Sequence, residues 1–462
     1  MKKRLLIAIV MISMIACSCN IPALISQAIS NRQPTLQNEP ATVSTLPSLE
    51  LATAIPTQAL SPEEIAAQTA KIMDQIQAEI ITLRGLQPNG KFTRATLTEE
   101  ELKDKVTNDF FADYTAEEAK SDVRELAALG LLPKGFDIYQ LYIDLYSEQI
   151  AGYYDPETKE MYVVQGEAFK GPEKMTYAHE YVHALQDQTW DLQNGLKSND
   201  EYCEDHTEYC AGVDALVEGD ASLAEQYWFF SNATQQDQQD VYDFYSTYTS
   251  PVYDSAPYFL QQDFLFPYSQ GMVFVESLFN NGGWPAVNKA YANPPQTTEQ
   301  ILHPERYPKD TPVDIPIPDL TSTLGSGWEE VTRNVMGEWY LDLVLFAGYD
   351  PAIRLDEETA RAAGTGWGGD SYLVYWNEST QEQAFVMVSQ WETSNDANEF
   401  WDAMKEYAHL RWKSPRQNKS NDQVWMSTSD GYVRLLRNGT EIKWLITSTE
   451  SISEKILAKI GK

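Results

Sequence analysis

Alternation of apolar and polar positions divides the chain into a helical half, a hairpin, more helices and a mixed C-terminal region. Ile65, Ile72, Met73, Ile76, Ile80 and Leu83 form an apolar stripe behind Ser61-Pro62-Glu63-Glu64. Ser61 is placed to cap that helix and Gly85 to end it. Thr98-Glu-Glu-Glu101 and Thr115-Ala-Glu-Glu118 repeat the capping pattern, so 98–147 reads as mostly helical. Two β-rich runs around Tyr153-Tyr154 and Tyr162-Val163-Val164 flank Asp155-Pro-Glu-Thr-Lys159, a hairpin. Its edge suits either strand addition by a peptide or a purely structural role. Helical composition returns over 213–228, where Gly219 allows close approach of another helix. Gly271, Phe274, Val275, Leu278 and Phe279 then follow i, i+3, i+4, i+7, i+8, with Tyr268 continuing that face at the helix start. A Pro/Asp-rich stretch, 308–319, reads as a linker. Beyond it, 372–376 and 384–391 read as strands and 395–412 as a helix. Runs 432–436 and 442–447 flank Arg437-Asn438-Gly439-Thr440, a hairpin signal. Trp367-Gly-Gly-Asp370 reads as a tight turn, since no Lys at Walker spacing follows to make it a phosphate loop. The fold class expected is α+β: a mainly helical core with a small hairpin sheet, plus a small C-terminal α+β domain. The divisions are 61–147 (helical), 148–307 (core), 308–319 (linker) and 320–462 (C-terminal domain).

Ahead of these lies a different composition. Lys2, Lys3 and Arg4 precede an apolar run from Leu5 to Ile15 that is short for a bilayer span, so 1–16 reads as an export signal. Met14-Ile-Ala-Cys17 resembles a lipobox, which implies cleavage before Cys17 and lipidation of its thiol; the alternative is a plain secretory signal. Residues 17–60 are rich in Pro, Thr, Ser, Gln and Ala and read as a disordered tether. The net charge of −34 argues against binding to nucleic acid or anionic lipid, which needs a basic face. Export makes Cys203 and Cys210 a candidate disulfide; the weaker alternative is a second metal site in which the two cysteines are joined by Asp205, His206 and Glu208 between them.

The chemistry concentrates in His179-Glu180-Tyr-Val-His183, an H-E-x-x-H in a chain with 5 histidines. On a helix the two imidazoles share a face and can reach one Zn²⁺, while Glu180 stands beside the metal to take a proton from an activated water. A helical Glu218 next to Gly219 is a candidate third ligand. Asp187, four residues after His183, is a lower-ranked rival.

The pair H-E-x-x-H and downstream Glu218-Gly-Asp-Ala resembles the gluzincin metallopeptidases, including the thermolysin-like and aminopeptidase-N-like enzymes. The resemblance covers about 150–307 and extends to lipoprotein metallopeptidases of bacteria. It implies a zincin-like core, Zn²⁺ held by His179, His183 and Glu218, and Glu180 as the base. It also implies Tyr268, in Tyr-x-x-Gly271, as the oxyanion donor, with His303 as a second candidate for substrate contact. The function implied is a lipid-anchored, extracytoplasmic peptidase acting on peptide or protein substrates. Two alternatives belong to other classes: a non-catalytic zinc-containing surface lipoprotein, and an envelope module whose aromatic C-terminal domain binds polymer.

Overall fold

The computed structural model describes residues 11–14, 61–111, 114–166, 168–413, 416–419 and 421–461. The expected lipidated Cys17 and the tether lie outside these, as does most of the expected signal. All three capping boxes form. In each, the Ser or Thr oxygen accepts the N3 amide and the N3 glutamate accepts the cap amide, at Ser61, Thr98 and Thr115. Helix α1 (Pro62–Arg84) ends at Gly85 with φ +77°, the left-handed conformation that glycine adopts at least cost. Helices α2 (Ala116–Leu129) and α3 (Ile138–Gln149) complete the N-terminal helical region.

The hairpin forms as β3 (Ile150–Asp155) and β4 (Glu160–Val164). Asp155 shapes its turn, accepting from the amides of Glu157 and Thr158 at 2.7 and 3.2 Å. β2 (Thr93–Leu97) adds parallel to β4, and β1 (Met11–Met14) pairs antiparallel with the other edge of β3, giving the order β1-β3-β4-β2.

Helix α4 (Gly171–Trp190) carries the metal motif. Every residue from Met175 to Asp187 is buried, so it is a central helix rather than an amphipathic surface one. It packs against α1, β3 and α5 (Thr207–Ser231). Helix α6 (Tyr258–Gly282) crosses α5 at glycine. A Cβ on Gly219 would stand 2.1 Å from Gly271 O, and one on Gly271 would stand 2.1 Å from Ala215 O. The backbones touch only because both side chains are absent. Tyr268 is mid-helix, not at the helix start as expected. Pro267 lies inside α6 and forfeits one backbone hydrogen bond. Burial of Phe259, Phe266, Phe274 and Val275 and the glycine contact outweigh that loss.

The C-terminal region is a seven-stranded antiparallel sheet of β5 (Trp328–Asn334), β6 (Trp367–Asn377), β7 (Glu382–Trp391), β8 (Arg416–Lys419), β9 (Asp422–Thr428), β10 (Gly431–Asn438) and β11 (Glu441–Thr447), in the order β5-β6-β7-β11-β10-β9-β8. The expected strands and hairpin all fall within it. Trp367-Gly-Gly-Asp370 opens strand β6 (Trp367–Asn377) instead of making a tight turn. Gly369 there lets Val313 approach, since a Cβ would meet Val313 O at 2.3 Å. Helices α7 (Gly337–Phe346), α8 (Ser394–Arg411) and α9 (Glu450–Ile460) pack with the sheet. One apolar cluster runs through both halves, joining Leu129 and Val213 to Trp339, Phe385 and Trp444. The two expected domains therefore share a core.

Candidate metal centre

The i, i+4 spacing on α4 turns His179 and His183 toward α5, with ring centroids 4.7 Å apart. Glu218 on α5 meets them. Its Oε2 stands 3.1 Å from His179 Nε2 and 3.3 Å from His183 Nε2. All three residues are buried. Ligand atoms arranged tetrahedrally about 2.1 Å from one ion stand about 3.4 Å from each other, so this set fits zinc.

Hydrogen bonds behind the rings fix where their protons sit. His183 Nδ1 lies 2.8 Å from Gln186 Oε1. Gln186 cannot be turned over, because its Nε2 donates to Val217 O and Asp220 Oδ2, each at 3.0 Å, and both are pure acceptors. His183 therefore carries its proton on Nδ1. His179 Nδ1 donates in the same way to Glu225 Oε2 at 2.9 Å. Two Nε2 atoms and a carboxylate oxygen are left facing one point, which calls for a cation or a proton. In the metal-free protein a proton on His179 serves. Burial pulls its pKa down, but hydrogen bonds to Glu218 and Glu225 overcome this and lift it to about 10. Burial likewise opposes ionisation of Glu218, yet His183 and His179 hold it at about 2. Asp214, one turn before Glu218, is pushed up to about 7 by burial and by the Glu218 charge. It lines a cavity of about 310 Å³ with Tyr142, Glu208 and Phe266.

Glu180 is fully buried beneath β3. Gly152 lets β3 lie close on α4: a Cβ there would lie 2.6 Å from Thr176 Cγ2 and 2.8 Å from Tyr162 O, and in ordinary contact with Glu180 Cγ at 3.4 Å. Tyr268 is 4% exposed and its ring centroid lies 6.3 Å from that of His179. Asp187, the rival ligand, turns away. It accepts from Tyr154 Oη at 2.7 Å and Lys159 Nζ at 2.6 Å, tying α4 to the hairpin. His303 pairs with Glu338 of α7 at 2.8 Å, and that hydrogen bond raises its pKa. Cys203, ahead of α5, and Cys210, in its first turn, are joined in a disulfide, which removes them as ligands for a second metal site. A second carboxylate group, Glu299, Asp310 and Glu392, surrounds Arg306 at 2.8, 3.0 and 2.9 Å, so a guanidinium already supplies its positive charge.

Sequence reasoning missed Glu225 and Gln186. Glu225 follows Glu218 by two helical turns and Gln186 follows His183 by three residues, so same-face spacing was the available signal.

A family model described as a domain of unknown function, DUF8575, matches residues 323–456. That match covers the C-terminal sheet region and leaves the histidine cluster outside it. No curated protein and no solved structure matches the chain.

Proposed function

We propose that the protein is a zinc-dependent metallopeptidase, exported and lipid-anchored through Cys17. The observation that carries the reading is the convergence of three acceptor atoms, from His179, His183 and Glu218, with both ring N–H groups turned outward. A fourth position stays open for water or substrate in such a set, as in catalytic zinc sites. When bound, zinc acidifies a water and polarises the scissile carbonyl. Glu180 accepts the proton of the attacking water and returns it to the leaving amine. Tyr268 donates its hydroxyl hydrogen to the carbonyl oxygen as charge develops there. Peptide recognition falls to the β3 edge above Glu180. In the uncleaved chain Met11–Met14, part of the segment that cleavage before Cys17 would remove, pairs antiparallel with that edge, with Ser13 opposite Gly152.

Metal analysis of the purified full chain tests the ligand set. The parent and Asp187→Asn should each retain one zinc, while Glu218→Ala should lose it. Loss in Asp187→Asn with retention in Glu218→Ala would overturn the assignment.

A further inference from the structure

We propose that helix α1 is a working part of the metal centre, in which Arg84 holds His183 in its ligating tautomer through Asp220 and Gln186. The affinity test below rests on the zinc reading; the tautomer test does not.

Arg84 closes α1 and is fully buried. Its Nε and Nη2 donate to Asp220 Oδ1 and Oδ2 at 2.6 and 3.0 Å. Its guanidinium lies 4.5 Å from the Trp284 ring centroid and 5.9 Å from that of Trp190. Asp220 Oδ2 also accepts from Tyr291 Oη at 2.7 Å and from Gln186 Nε2 at 3.0 Å. Gln186 Oε1 then accepts from His183 Nδ1 at 2.8 Å. Arg84, Asp220, Gln186 and His183 are each 0% exposed, so no bulk water competes for these bonds.

The order of the links decides what each one does. Arg84 and Tyr291 both donate to the Asp220 carboxyl group and fix it in place. Its Oδ2 also accepts from the amide nitrogen of Gln186, which turns the amide oxygen toward His183. That oxygen keeps the imidazole proton on Nδ1 and leaves Nε2 bare toward Glu218. Without Asp220 only Val217 O still opposes a turn of the amide that would present its NH₂ to His183 and move the proton to the nitrogen that must ligate. Helix α1 thus reaches the centre from behind its ligands. An inhibitory segment would instead cover the open side, and removing α1 would leave Asp220 buried without its cation.

Zinc affinity of the full chain, measured by competition with a chromophoric chelator, should fall about 10–100-fold in Gln186→Leu. The melting temperature of the metal-free variant should stay near that of the parent. The double variant Arg84→Met/Asp220→Leu removes both charges together, so neither is left alone in the interior. It should weaken zinc to a similar extent, and adding Gln186→Leu should bring no further loss. The ¹⁵N shifts of His183 in the metal-free protein should report an Nδ1 proton in the parent and a loss of that preference in Gln186→Leu. Parent-like zinc affinity in Gln186→Leu, losses that multiply in the triple variant, or an unchanged tautomer would each overturn the relay while leaving a zinc-binding parent intact. A parent that binds no zinc would overturn the zinc reading, and the tautomer would still decide the relay.

Discussion

Protonation of one residue gives the site a signature that needs no substrate. Metal-free His179 has its pKa lifted to about 10, so at pH 7.5 a zinc ion must displace its proton. Zinc titrations in buffers of different ionisation enthalpy should show release of about one proton per ion, and affinity should climb with pH. Binding without proton release would contradict the cluster as described. The same shift acts on folding. A folded pKa above the ordinary value of about 6.5 stabilises the metal-free protein fully below that pH, and the contribution is lost as pH rises through 10. Tyr268 is tested by removing its hydroxyl alone. Tyr268→Phe keeps the ring, so melting and zinc content should hold, while kcat should fall about 10²–10³-fold with KM little changed. An unchanged kcat removes Tyr268 from the reaction. His179, Glu180 and His183 were legible in the sequence because their relation is local to one helix. Asp220 was not, because only the packing of α5 on α4 and α1 gives it partners.

Elements were legible wherever a local rule acts. Capping boxes fixed three helix starts, and the Asp155 and Asn438-Gly439 turns fixed two hairpins. The start of α6 was misread because Pro267 argues locally for a helix beginning, while the packing that carries the helix through it is tertiary. The strand at Trp367 was misread because Gly368 and Gly369 look like turn residues, when Gly369 makes room for Val313. The α5–α6 crossing is the element that brings Tyr268 beside His179, and it depends on glycine. Gly271→Ala puts a methyl 2.1 Å from the Ala215 carbonyl oxygen. Overpacking of this kind costs about 1–3 kcal/mol, and a rigid backbone contact belongs at the upper end. Thermal melting should drop by several degrees, and turnover should drop with it as Tyr268 moves. A variant that melts with the parent would show that the helices are not in contact there.

Over the whole molecule, the apolar cluster that joins the helical core to the C-terminal sheet was hidden from the sequence, because the 308–319 stretch looks like a boundary. Burial of Trp339 and Trp444 in the same cluster as Leu129 makes the C-terminal region part of the scaffold around α5 and α6. No helix among the described residues is long and apolar enough to cross a membrane. The proposed lipid anchor on Cys17 has a test of its own: Cys17→Ser should move the protein from the membrane to the soluble fraction. Unchanged partitioning with no lipid found by mass spectrometry would contradict the anchor. The most direct test of the peptidase reading compares the full chain with its Glu180→Gln variant, measuring zinc content and peptide cleavage on the same preparations. An amide cannot take the water's proton at neutral pH. The variant should keep one zinc and the parent melting temperature while cleavage by the parent, abolished by chelator, is absent from it. Cleavage by Glu180→Gln at the parent rate, or a zinc-loaded parent that cleaves no peptide in a broad library, would contradict it.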